Sequence, residues 1–248
     1  MENSPFDEQV KSLLKAIMLK PFSEISSVVE AEQKFKELYH ENPTKPSILI
    51  ALLFCNLVLG KRDISLGLSQ KIWSEGGELS DFFELVYTDC LLNLGELSKA
   101  QDLLAPRLQN PRENLEYFYM VIIKYTLLKG DLFLLMKLGE YPHIYDAEPV
   151  LFDFAKKHAL NNSVQIYKDL FQSVLSLVGN TLCAFEYSLY DDGLELIFYT
   201  NASAEQNEEW TNSLSTQAET YFEEHDAEEM NDLFIQLFPI NEHAAWLE

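Results

Sequence analysis

The sequence predicts a mostly α-helical fold: an α-α superhelix of about five helical pairs followed by a small acidic ββαα module. Helix-ending glycines recur at a fixed interval, an Asp-Gly turn separates two aromatic-rich runs near the C-terminus, and the charge balance changes abruptly after Lys168. Each of these features has its own physical cause.

The glycines come first. "CNLVLG" ends at Gly60, "LLNLG" at Gly95 and "YTLLKG" at Gly130, a spacing of 35 residues both times. Glycine is the usual residue just past a helix end, where the chain turns left-handed. Each glycine lies between an apolar helix-period run and a second such run, "DISLGLSQKIW", "ELSKAQDLL" or "DLFLLMKLG". Asn42-Pro43 and Asn110-Pro111 repeat 68 residues apart, and Asn-Pro stops a helix. Helix, turn, helix and turn at this period mark stacked helical hairpins, each burying its apolar face against its neighbours.

Residues 6–178 resemble tetratricopeptide (TPR) repeats. In "FFELVYTDCLLNLGELSKAQDLLAPRLQNP", Gly95 takes the turn, Ala100 the small position where the second helix meets the first, and Pro111 lies near the closing proline. The early Trp of the family is absent, Thr88 stands where Gly or Ala is usual, and Leu135 replaces a small residue in the next unit. The first pair runs from Phe6 to His40, split near Lys20 to Phe22; the last is "AEPVLFDFAKKHAL" with "SVQIYKDLFQSVLSLV", joined at Asn161-Asn162.

The resemblance implies a concave groove lined by the first helix of each pair. Its positions fall on Ser47, Ile50, Phe54 and Leu57, on Phe82, Leu85, Asp89 and Leu92, and on Tyr117, Met120, Lys124 and Leu127. Such a groove is apolar and suits an amphipathic helix or an extended apolar peptide. Members that take the acidic C-termini of heat-shock chaperones use several Lys, Arg and Asn residues there; here only Lys124 appears.

Composition supports a globular chain: 248 residues, 47% hydrophobic and 12% aromatic, supply enough apolar surface for a core. The run "ILIALLFCNLVLG", Ile48 to Gly60, is shorter than the roughly 20 residues of a membrane span and reads as a helix buried on most sides. "MENSPFDEQV" lacks the basic, apolar and small-residue segments of a secretory signal. Cys55, Cys90 and Cys183 are odd in number, far apart and set among apolar residues, as reduced buried thiols would be. A cytoplasmic location is expected.

The net charge of −22 is uneven: from Gly179 onward there are sixteen Asp and Glu and no Lys or Arg, against 24 acids and 18 bases before it. A helical-repeat domain over 1–178 and an acidic module over 179–248 follow. In the module, strands are expected at Thr181 to Leu189 and Leu194 to Thr200 around Asp191-Asp192-Gly193, since Asp-Gly suits positive φ at a hairpin's centre. Ser203 with Gln206 and Asp226 with Glu229 read as helix-start capping pairs. The first helix gathers Trp210, Leu214, Ala218, Tyr221 and Phe222 on one face, the second Met230, Leu233, Phe234, Leu237 and Phe238 before Pro239 stops it. The module is expected to cap the array.

His40, His143, His158, His225 and His243 are scattered, with no zinc-type spacing, phosphate loop or nucleophile arrangement. No catalytic residue, metal or cofactor is therefore predicted. Glu223, Glu224, Asp226, Glu228 and Glu229 form an acidic surface whose field repels nucleic acid and anionic membranes and attracts basic proteins. The expected function is a non-enzymatic adaptor or chaperone-like protein that binds a protein or peptide through groove and acidic surface. The alternative is an acidic inhibitor that imitates nucleic acid and blocks a basic enzyme.

Overall fold

A computed structural model describes residues 4–18, 25–75, 77–109, 115–146, 148–160, 164–190, 193–224 and 233–240. The fold is mostly helical, with a three-stranded sheet near the C-terminus. The chain divides into two compact units, the first comprising Met1–Phe118 with Pro239–Glu248 and the second Tyr119–Phe238. Gly179, where the charge changes, lies inside the second unit.

The first unit holds α1 (Pro5–Met18), α2 (Ile25–Glu41), α3 (Pro46–Val58), α4 (Arg62–Glu75), α5 (Asp81–Asn93) and α6 (Leu97–Gln109). Consecutive helices pack together within each pair, and α3 also touches α1 and α5, so the helices that open successive pairs form a continuous line of contacts. Every residue of α3 from Ser47 to Val58 is buried. A helix without a polar face must be covered on all sides, which places α3 at the centre of its unit. Asn56 is tolerated there because its amide Nδ2 donates to the Leu52 carbonyl at 2.7 Å.

The recurring glycines have a common geometry. Gly60, Gly95 and Gly130 have φ of 68°, 76° and 64°. In each case the glycine N–H bonds to the carbonyl three residues back, and the next N–H reaches five back: Lys61 to Asn56, Glu96 to Leu91 and Asp131 to Thr126, at 2.8, 2.9 and 2.9 Å. This is the Schellman closure, which satisfies carbonyls that a helix end leaves unpaired.

Buried charge also ties the helices of this unit together. Arg62 lies at the start of α4 and sends Nη2 to the Leu94 carbonyl, at the end of α5, at 3.2 Å. Glu32 on α2 takes Lys61 and Lys36 at 2.9 and 3.0 Å. Arg107 on α6, 2% exposed, holds Asp81 and Glu84 at the start of α5, each at 2.7 Å.

The second unit takes most of α7 (Leu115–Lys129), then α8 (Leu132–Leu138), the single turn α9 (Pro142–Tyr145), α10 (Pro149–Leu160) and α11 (Val164–Val178). Helix α8 packs on α10 and α11. Asp131 opens α8 by accepting the Leu134 N–H at 3.0 Å, an N-cap bond that follows directly on the Gly130 closure. Strands β1 (Leu182–Tyr190) and β2 (Gly193–Thr200), helix α12 (Ala204–Glu224) and β3 (Leu233–Pro239) complete it.

β1 and β2 are antiparallel, and the sheet order is β1-β2-β3. Gly193 pairs with Tyr190, so it opens β2 and does not occupy the turn's centre as expected. Asp191 and Asp192 lie outside the described residues, as does the Asn161-Asn162 turn. Ser203 caps α12 by accepting the Gln206 N–H at 3.2 Å, while the Gln206 side chain turns to Glu209 and not back to the cap.

The expected second helix of the module is corrected: Leu233 to Pro239 is strand β3. Its run "LFIQLF" has apolar residues at five of six positions and so carries no polar helical face. The edge of β2 gives its backbone a hydrogen-bonding partner. The module is therefore ββαβ, with α12 between β2 and β3 in the chain. Asp226, Glu229 and Met230, the start of the expected helix, lie outside the described residues.

Candidate docking surface

Most of the expected groove residues are core. Ile50, Phe54, Leu57, Phe82, Leu85 and Asp89 are buried, as are Ser47, Leu92 and Leu127. Tyr117 is nearly buried, its hydroxyl without a hydrogen-bond partner, and burial followed by the charge of Asp89 pushes that hydroxyl well above its usual range. Only Met120, at 50% exposure, is freely accessible; Lys124 is half-buried.

Part of the reason lies in α1. Ser47 donates to Asp7 at 2.6 Å, and the Lys11 and Lys15 ammonium groups sit 5.7 and 5.3 Å from the Phe82 ring centre. Phe82 in turn lies 6.4 Å from the Tyr117 ring. The chain's own first helix thus meets the faces of α3 and α5 that a ligand would need. Burial, the largest influence, raises the Asp7 carboxyl, but the hydrogen bonds from Ser4 and Ser47 and the charge of Lys45 outweigh it and hold the group low.

In the acidic region, Glu223 and Glu224 are exposed at the end of α12, whereas Asp226, Glu228 and Glu229 lie outside the described residues. Of the first-helix face, Leu214 is buried and Trp210, Ala218 and Tyr221 are half-buried. Leu214 and Ala218 line a cleft of about 110 Å³ with Leu170 of α11 and Leu233 and Ile235 of β3. Helix α12 is thereby seated between α11 and the sheet.

A folded region without lysine or arginine must partner its sheltered carboxylates by other means. It uses tyrosine. Tyr190 donates to Glu195 at 2.8 Å and Tyr199 to Glu186 at 3.2 Å. Tyr187 hydrogen-bonds Glu148, whose carboxyl burial raises while that bond pulls it back. Each tyrosine hydroxyl is pushed up in response: Tyr187 and Tyr199 chiefly by burial and then by their glutamates, Tyr190 chiefly by its bond to Glu195. A hydroxyl donor satisfies a carboxylate without cancelling its charge.

Side-chain alternation separates the two faces of the sheet. Phe185, Leu194, Leu196 and Phe198 are fully buried on one, and Leu233 and Ile235 on that face meet α11 and α12. The other face carries Glu186, Tyr190, Glu195 and Tyr199, with Phe238 placed 6.3 Å from the Tyr199 ring. Phe234 shares that face by alternation with Phe238. Tyr190, Phe234 and Phe238 are exposed at 55%, 50% and 40%.

Sequence reasoning missed this face because it assigned Phe234 and Phe238 to a helix. The available signal was the absence of any Lys or Arg beyond Lys168 in a segment rich in tyrosine. Among the described residues, no helix is long and apolar enough to cross a membrane, and no group of three or more His, Cys, Asp or Glu side chains gathers as a metal site would require.

Comparison with protein-family models, with curated proteins and with solved structures gives no match.

Proposed function

We propose that this chain is a non-enzymatic cytoplasmic adaptor that holds a basic protein through its acidic C-terminal region. One observation carries the reading: sixteen carboxylates and no Lys or Arg from Gly179 onward, with the sheltered ones partnered by tyrosine hydroxyls. The charge is left to act outward. Such a field speeds encounter with cationic surfaces and selects against anionic ones.

In this reading the helical pairs are a TPR-like superhelical scaffold that carries the acidic region. The common Schellman closure of Gly60, Gly95 and Gly130 supports that, as does the line of contacts from α1 through α3 to α5. The burial of Ile50, Leu57 and Leu85 argues for the acidic region, and against an apolar groove, as the binding part.

The test is affinity capture from the native cell at low and high salt, with identification of what is released. Exposed charges are screened over about 8 Å at physiological ionic strength, so a basic partner should leave the protein as salt rises. A nucleic-acid-binding enzyme inhibited while bound would select the inhibitor form of the same reading. A neutral or acidic partner, or retention indifferent to salt, overturns it.

A further inference from the structure

We propose that the apolar cavity between α4 and α6, floored by Leu49, Ile72 and Tyr87, is a binding site for a small neutral molecule with a largely apolar body. The site lies wholly in the first compact unit and stands apart from the adaptor reading.

The cavity follows from how the helical pairs meet. Helix α3 packs on both α4 and α5, and α5 packs on α6, whereas α4 and α6 lack comparable packing. The wedge left between them encloses about 430 Å³, within the range of roughly 300–1,000 Å³ usual for ligand clefts. Leu49, Ile72 and Tyr87 are buried at its base, while Leu103 of α6 and Trp73 of α4, the latter 40% exposed, line its sides. The Lys99 ammonium lies 5.8 Å from the centre of the Trp73 ring, so α6 meets α4 there through a side chain.

The polarity of the lining decides the occupant. Of the three floor side chains only Tyr87 carries a polar atom, and its hydroxyl already donates to the Ser69 carbonyl at 3.0 Å. An ordered water needs about two to four polar partners, and that floor offers it few. The charged groups at the mouth are paired within the chain: Lys99 with Glu96 at 3.0 Å, and Glu75 with Lys71 at 3.8 Å. An ion entering the cavity therefore gives up its hydration without gaining a counter-charge. A peptide segment would bring backbone N–H and C=O groups that the floor cannot satisfy. A neutral molecule with an apolar body meets neither cost, and its entry removes apolar surface on both sides from water.

The experiment uses the full chain and three probes built on one ring system: naphthylmethanol, which is neutral, naphthoate, which is anionic, and naphthylmethylammonium, which is cationic. Each is titrated calorimetrically at physiological salt. Wild type should bind the alcohol saturably at a single site, and each ion at least about tenfold more weakly. Leu103→Trp adds bulk inside the cavity and should weaken the alcohol at least about tenfold. Gly77→Leu repeats that test from the mouth without strain, because a Cβ there would meet Pro46 Cγ of the lining at 3.6 Å, an ordinary contact. A thermal midpoint equal to wild type shows that this variant folds. Loss of the alcohol in Gly77→Leu supports the site. No saturable binding of the alcohol, wild-type affinity in Gly77→Leu, or an ion bound as tightly as the alcohol overturns it.

Discussion

Arg107 donates from Nε to Glu84 Oε1 at 2.7 Å, and its Nη1 meets Asp81 Oδ1 at the same distance. With Nη2 on the Asp81 carbonyl at 3.0 Å, one buried guanidinium ties the last turn of α6 to the first turn of α5. Removing one partner of a buried ion pair leaves charge without compensation. Arg107→Ala should therefore lower stability by about 3 kcal/mol in urea unfolding. Arg107→Lys keeps the charge and loses the fork, so it should recover only part of that. A lysine variant as stable as wild type would show that charge alone, and not the forked geometry, holds the two helices.

Gly130 combines two constraints. Its φ of 64° disfavours any residue with a Cβ, and a Cβ built there would lie 2.9 Å from the Lys168 Cα of α11. Backbone atoms cannot yield as a flexible side chain can. Gly130→Ala should cost more than about 1 kcal/mol, the usual strain of a left-handed alanine. Equilibrium unfolding checks this; an alanine variant at wild-type stability would mean that α11 shifts freely against the closure.

These glycines were legible in the sequence because their cause is local: a left-handed residue after an apolar helix needs no knowledge of what packs above it. The groove was not. Ile50 and Leu85 lie at the positions that repeat geometry gives to an inner face, yet both are buried, and a sequence cannot tell an open inner face from a covered one. Strand β3 was illegible for a related reason. Leu233, Phe234, Leu237 and Phe238 satisfy a helical spacing, and the apolar Ile235 between them satisfies a strand equally well, so the choice fell to the free edge of β2. Arg107 left no mark of its own beyond Asp81 and Glu84 standing at the start of the preceding helix.

The three cysteines are buried and unpaired by disulfides. Burial, with the neighbouring charge of Glu32 adding to it, pushes the Cys55 thiol up to about 12. The thiolate is the reactive form, so almost none is present near neutral pH. Native protein should react with a thiol reagent at slightly alkaline pH far more slowly than free cysteine, and all three groups should react once it is unfolded. Fast labelling of Cys55 in the native state would contradict the packing around α3.

Glu32 and Glu148 should tilt the pH dependence of stability in opposite directions. Burial, the largest influence on Glu32, raises its carboxyl, but the bonds from Lys61 and Lys36 outweigh it and leave the group below its ordinary 4.5. A depressed folded value gives stability that is present above 4.5 and lost as pH falls through the folded value. Glu148 is raised above the same 4.5, chiefly by burial, with Tyr187 opposing. A raised value gives stability that is present below 4.5 and lost as pH rises through the folded value, so ionised Glu148 weighs against the fold near neutrality. Glu148→Gln removes that ionisation and keeps an acceptor for Tyr187. Its thermal midpoint should gain on wild type between about pH 4 and about pH 7. Glu32→Gln should do the reverse, falling behind wild type over the same interval. A glutamine at 148 that loses ground with rising pH would show that the Tyr187 hydroxyl favours the carboxylate more than burial disfavours it.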